Sequence, residues 1–150
     1  MAVYYITNKK PPSHNKNGAQ AHNKKVFGND FVNNYGKLYP NLPLSENHLQ
    51  SLILYIHHQL QKGNIPDVDN LSKPLVDAFS GIIYNDDRQI IKRTAIIMEL
   101  KDFDFVNVDA TNMPYEVYNA LSTYYYSNEN HIVFFKIDSI ALEDITIGEI

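Results

Sequence analysis

One stretch constrains this chain more than any other: DVDNLSKPLVDAFSGIIYNDD, from Asp67 to Asp87. Leu71, Leu75, Ala78, Phe79 and Ile82 recur at i, i+4, i+7, i+8 and i+11, which is one face of an α-helix. At about 100° per residue, Asp69, Lys73 and Asp77 fall on the opposite arc. The helix is therefore expected over Leu71–Ile82, with Pro74 in its first turn, where the missing N–H costs little. A stripe of this kind needs a second layer to bury it. The five aspartates around it, Asp67, Asp69, Asp77, Asp86 and Asp87, repel one another and need a positive partner.

The rest of the chain can supply that layer. It has 150 residues, 44% of them hydrophobic and 12% aromatic, enough for one domain with a sizeable core. Val3–Thr7 and Gln89–Leu100 read as strands. Asn8–Lys25, rich in asparagine, lysine and proline, reads as a polar basic loop. Gly28–Tyr39 is ambiguous, with a short helix ending before Pro40 as one reading. Phe103–Asp109, Met113–Tyr125 and His131–Asp138 read as strand, helix and strand, with Thr111 or Asn112 as cap and Pro114 in the helix's first turn. Leu49, Leu52, Ile53, Ile56 and Leu60 fit a helical stripe from Ser45 to Gly63, yet "LILYI" equally fits a buried strand.

Composition excludes several functions. There is no cysteine, hence no disulfide, thiol nucleophile or cysteine-bound zinc. The apolar runs are too short to cross a bilayer, which takes about 20 residues, and the start is too polar for a secretory signal. A soluble intracellular protein is expected. Charge is uneven: residues 1–40 hold six lysines against Asp30, whereas residues 101–150 hold nine acids against two bases. The basic third suits a polyanion or is a solvated loop; the acidic third suits neither DNA nor phosphate. Histidine metal ligation is disfavoured, because no H-x-x-x-H or H-E-x-x-H spacing occurs. His57 and His58 are expected one buried and one facing solvent. The stripe Tyr115, Tyr118, Ser122, Tyr125 reads as a packing face rather than a base-stacking one.

A divalent cation would relieve the aspartates. Mg²⁺ prefers oxygen ligands and takes one or two carboxylates together with waters and phosphate oxygens. Asp67 and Asp69 would point the same way from an extended segment leading into the helix. A helix packed on its following strand would bring Asp86 and Asp87 back to the same place. The alternative is structural: "DN" as a helix cap, "NDD" as a turn, and Lys73 pairing with Asp77 at i+4.

These residues resemble the RusA family of Holliday-junction resolvases. The resemblance rests on D-x-D-N (Asp67, Asp69, Asn70), a lysine on the same helix (Lys73), an aspartate four residues on (Asp77), and a D-D-x-Q turn (Asp86, Asp87, Gln89). "PPSHNK" at Pro11–Lys16 also looks like the family's proline-proline-serine loop. The resemblance implies an α+β fold, a small mixed β-sheet with helices packed on it in two layers, and a homodimer. It implies a single domain over 1–150, with 1–102 as family core and 103–150 as an acidic strand–helix–strand extension. That extension adds structure to the sheet, extends a dimer interface, or faces a protein partner; the first is favoured. The family's order also places a strand before D-x-D, so Leu52–His58 is read as a strand.

Carried over by position, the resemblance makes Asp67, Asp69 and Asp87 metal ligands and catalytic together with Lys73. Asp86 is either a further ligand or a shaper of the turn, and Asn70 and Asp77 are supporting. The implied activity is Mg²⁺-dependent cutting of four-way DNA junctions, with Mn²⁺ substituting, in the cytoplasm of a bacterial or phage-infected cell. An arginine-rich run precedes D-x-D in the family, but here the stretch is "QLQKGNIP". Phosphate contacts are therefore expected from Lys9, Lys10, Lys16, Lys24, Lys25, Lys62, Arg88, Lys92 and Arg93. Two other readings stay open: a metal-dependent phosphoesterase for other branched DNA or nucleotides, and a catalytically silent binding homologue.

Overall fold

A computed structural model describes residues 2–12, 19–58, 65–104 and 108–148. Four strands make one mixed sheet: β1 (Val3–Thr7), β2 (Leu49–His57), β3 (Ile90–Glu99) and β4 (His131–Ser139). Their order across the sheet is β1-β4-β2-β3. β4 runs antiparallel to both neighbours, with Thr7 opposite Val133 and His57 opposite His131. β2 and β3 are parallel, so the chain must cross over between them. The helix α3 (Val68–Ala78) supplies that crossover. The expected α+β fold, a mixed sheet carrying helices, is the one found. The strand reading of "LILYI" also holds, because β2 lies inside the sheet with neighbours on both sides.

On one face of the sheet, aromatic rings knit the helices to the strands. Phe79, just past α3, lies 5.2 Å from Tyr5 and 4.9 Å from Phe135, centroid to centroid, and 5.9 Å from Phe31. All four side chains are buried. The opposite face, with Leu52, Leu54 and Phe134, meets Phe103, Val108, Met113 and Leu121, so part of it is covered as well.

Several local expectations are corrected. Residues 19–25 are helical rather than loop: α1 (Ala19–Asn23) runs through a π-helical turn (Lys24–Gly28) into α2 (Asn29–Tyr35), the short helix read as one possibility before Pro40. A Cβ on Gly28 would lie 2.6 Å from Ile82 Cδ1, so the bare glycine allows this close approach. The helix expected over Leu71–Ile82 begins earlier and ends earlier. Pro74 therefore sits in its second turn, buried, where its missing N–H removes one helical hydrogen bond. After it, Gly81 adopts φ +83° and the chain folds back, its N–H donating to Tyr84 O at 2.7 Å.

Residues 103, 104, 108 and 109 form no strand; their apolar side chains pack beneath the sheet instead of joining it. α4 (Tyr115–Tyr126) is preceded by Pro114 as its cap residue, with no side-chain cap from Thr111 or Asn112. Its buried residues are Val117 and Leu121, whereas Tyr115 is 73% exposed and Tyr118 38%, so the tyrosine stripe is not the packing face at those two positions. The segment 103–150 follows the matched motifs in sequence, but its strand β4 lies inside the sheet.

Candidate active site

Asp67 is the N-cap of α3, in extended conformation, and its Oδ1 accepts from Asn70 N–H at 2.9 Å. Asp69 lies in the first helical turn. The two aspartates therefore do not leave a common extended segment, as their spacing suggested; one caps the helix and the other rides on it. Both are exposed. Capping gives Asp67 a structural effect that can be separated from any chemical one. Asp67→Ala should lower stability by about 1 kcal/mol, while Asp67→Asn, an equally good cap, should leave it unchanged. Urea denaturation midpoints measure both.

One turn on from Asp69, Lys73 ties the two halves of the motif together. Its ammonium lies 3.1 Å from Asp77 Oδ2 and 3.3 Å from Asp77 Oδ1. It also lies 3.8 Å from Asp87 Oδ2, beyond the helix. Asp77 is the most sheltered of the three, with a side chain 9% exposed, and it also accepts from Gln20 Nε2 at 3.2 Å. The return of the chain after α3 makes this meeting happen. Tyr84 is buried and donates its hydroxyl to Val76 O, clamping the turn on the helix. Gln89 donates to Leu44 O and Glu46 O, both at 2.9 Å, fixing the start of β3.

Asp86 and Asp87 are adjacent but occupied differently. Asp86 caps the short turn 87–89: its Oδ1 accepts from Arg88 N–H at 3.0 Å and its Oδ2 from Arg88 Nη2 at 3.1 Å. These bonds, the backbone one first, hold its carboxyl at about 2. Asp87 is pushed the other way, above the usual carboxylate range. A hydrogen bond with Asp86 is the main cause, followed by partial burial and the charge of Asp77, with Lys73 offsetting them only in part. Asp87 thus sits in an excess of negative charge. A carboxylate so placed gains more than its neighbours from a nearby cation.

Lys73, Asp77 and Asp87 are therefore brought together, with Asp86 turned towards Arg88 and Asp67 and Asp69 at the start of the helix. Among the described residues, no three His, Asp or Glu side chains form a ready metal cage. The donor chemistry nevertheless fits a hard divalent ion, which needs only one or two carboxylates when phosphate and water complete its shell. Asp69, which is exposed, and Asp87, which is half-buried, are oxygen donors of that kind.

The basic residues divide similarly. Lys9 pairs with Asp30 at 3.8 Å and Arg88 with Asp86. Strand alternation sets Arg93 on the α3 side of β3 and Lys92 on the other. Lys24 reaches the neighbourhood of Gly81, and Lys25 is exposed. Lys16 and Lys62 lie outside the described residues, as do Ser13–Asn15 of the proline-serine motif. His57 is buried, and His131 Nδ1 bonds the Tyr55 hydroxyl at 2.8 Å. The sequence reading missed Gln20, because the segment around it reads as loop; the alanines flanking it were the available helix signal.

The β2–α3–β3 crossover carries the acid-lined helix on which the candidate site is built. Residues 38–104, less than half of the chain, match the family model described as Endodeoxyribonuclease RusA. The matched region holds all five aspartates of the opening stretch together with Lys73, so the RusA resemblance read from the motifs is upheld. No curated protein matches the chain.

Proposed function

We propose that the chain is a divalent-cation-dependent endodeoxyribonuclease that resolves four-way DNA junctions as a homodimer. The observation carrying this reading is Lys73 held between Asp77 on the helix and Asp87 beyond it, which joins the two halves of the RusA motif in one place. Asp69 and Asp87, with the free oxygen of Asp67, would hold Mg²⁺ or Mn²⁺. Bound there, the ion supplies Lewis acidity and a water of lowered pKa.

The protein's own residues do the rest. Lys73 is a compact charge suited to the developing phosphorane or the leaving alkoxide. Asp77, sheltered and bonded to Lys73 through both oxygens, positions that ammonium and ties it to Gln20. Asp86 shapes the turn that presents Asp87. Two matched cuts across a two-fold junction call for two identical sites, which a C2 dimer provides.

The test uses a labelled mobile four-way junction, a replication fork and plain duplex, each with Mg²⁺ and with EDTA. Paired symmetric nicks in the junction, absent in EDTA, are the expected outcome, with sedimentation giving twice the mass of one chain. Cutting confined to the fork would move the substrate to other branched DNA. No hydrolysis of any substrate with Mg²⁺ or Mn²⁺ would overturn the nuclease reading.

A further inference from the structure

Lys73 has two partners among the described residues, and they compete for it. Its ammonium lies 3.1 Å from Asp77 Oδ2 and 3.8 Å from Asp87 Oδ2. The lysine side chain is 53% exposed, so packing does not choose between them. An exposed lysine–aspartate pair one helical turn apart is too weak by itself to pin so long a side chain. A residue from outside the motif steadies the carboxylate instead. Gln20, on α1, donates from Nε2 to Asp77 Oδ2 at 3.2 Å, the same oxygen that lies nearest the ammonium. The bond belongs to a longer seam. α1 and the π-helical turn after it lie along α3 and its following turn, with contacts at four-residue steps: Gln20 to Asp77, Lys24 Nζ beside Gly81, Gly28 against Ile82. Gly28 sets the closeness, since a Cβ there would also come within 3.4 Å of Ala78 O. Gln20 lies outside residues 38–104, the part of the chain that matches the family model.

With one amide N–H fixed on Oδ2, the Asp77 carboxylate keeps both oxygens turned to Lys73, at 3.1 and 3.3 Å. The terminal torsion of an aspartate is broad, so without that N–H the carboxylate turns more freely. The ammonium then shifts towards its other partner. Asp87 receives it readily, because the charges of Asp77 and Asp86 already bear on it. An ammonium resting on Asp87 takes the oxygen that a cation would need. We propose that Gln20 is a positioning residue: its amide locks Asp77, so that Lys73 rests on Asp77 and Asp87 is left for the cation. The inference rests on the nuclease reading and extends it to a residue of the α1 segment. Gln20 acts through Asp77 and is not itself catalytic.

Two variants test this. Gln20→Met keeps the length of the side chain and removes the donor; Gln20→Glu keeps its shape and sets a second carboxylate against Asp77. Each is compared with wild type by carboxyl ¹³C NMR in EDTA, by single-turnover cutting of the labelled four-way junction with Mg²⁺, and by thermal midpoint. In Gln20→Met the resonances of both Asp77 and Asp87 should move, because the ammonium passes from one to the other. Cutting should slow about threefold to tenfold, the net scale of one hydrogen bond, and further in Gln20→Glu. Gel-shift affinity for the junction and the thermal midpoint should not change. In an Asp77→Asn background, Gln20→Met should slow cutting no further, since the two residues act in series. An unmoved Asp87 resonance, wild-type cutting in Gln20→Met, or undiminished slowing in the Asp77→Asn background would overturn the inference. So would a midpoint that falls in step with the rate, which assigns the bond to the fold. The NMR measurement needs no cutting. A wild type that cuts nothing sinks the nuclease reading, while a moved Asp87 resonance keeps the lock; a wild type that cuts, with Asp87 unmoved in Gln20→Met, sinks the lock and keeps the nuclease.

Discussion

A chain ended after Asp102 should not fold. It would retain every residue of the RusA motif and nearly all of the matched segment. It would lose β4, which hydrogen-bonds β1 on one side and β2 on the other. Without it, Val3–Thr7 has no neighbour in the sheet, and one side of β2 is bare. Ile132, Val133, Phe135 and Ile137, all fully buried, leave the core with it. Each is worth about 1.5–3 kcal/mol of burial, against a total stability of about 5–15 kcal/mol for an ordinary domain. The 1–102 fragment should show no cooperative urea transition and poor amide dispersion. A fragment that unfolds cooperatively would show that β1 can pair with β2 directly.

The second large effect falls on chemistry rather than folding. Asp69→Asn should reduce junction cutting about a thousandfold, roughly 4 kcal/mol of lost transition-state stabilisation, the scale on which a bound metal acts. Asparagine keeps the shape of the side chain but removes the charge that would hold the ion. The fold should be nearly indifferent: Asp69 is exposed, and the charge it gives to the helix N-terminus is worth only about 0.3–1 kcal/mol. Junction binding in EDTA should also persist, since backbone contacts come mainly from basic residues. The measurement is single-turnover cutting beside gel-shift affinity. A variant that cuts at the wild-type rate would remove Asp69 from the site.

The parts of this molecule that could be read from sequence share a property: their pattern repeats over several turns or residues. The α3 stripe was legible because Leu71, Leu75, Ala78 and Phe79 are all buried on one side. The strands β1, β3 and β4 were legible from their β-branched and aromatic content. β2 was not settled locally: its burial alternates over the first six residues, but Tyr55, Ile56 and His57 are buried in succession, and the run "LILYI" has no polar residue to mark the alternation. α1 and the π-helical turn after it were hidden because they rest on distant contacts: Gln20 to Asp77, and Gly28 against Ile82. Phe103–Asp109 alternates like a strand, yet nothing in the sequence shows that Phe103 and Val108 pack against the face of the sheet.

The site divides along the same line. The Lys73–Asp77 pair follows from helical spacing alone. Its extension to Asp87 does not, because it depends on how the turn after Phe79 folds back, which Tyr84 and Gln89 fix through backbone carbonyls at Val76, Leu44 and Glu46. Ser72 carried no signal at all. A serine on the sequence's polar-looking side became a buried hydroxyl, with no partner among the described residues, only once α3 lay against β3.

The place of β4 also sets a timetable. β1 is made first but finds its sheet partner among the described residues, Val133–Ile137, some 130 residues later. At about 5–20 residues per second, this leaves roughly 6–26 s of synthesis during which an apolar strand has nothing to pair with. The acid-bearing crossover, complete once β3 has been made, waits through the last part of that interval on an open sheet. For a chain read as a cutter of DNA, this means that the nascent protein carries the chemical motif well before it carries the frame that holds it still.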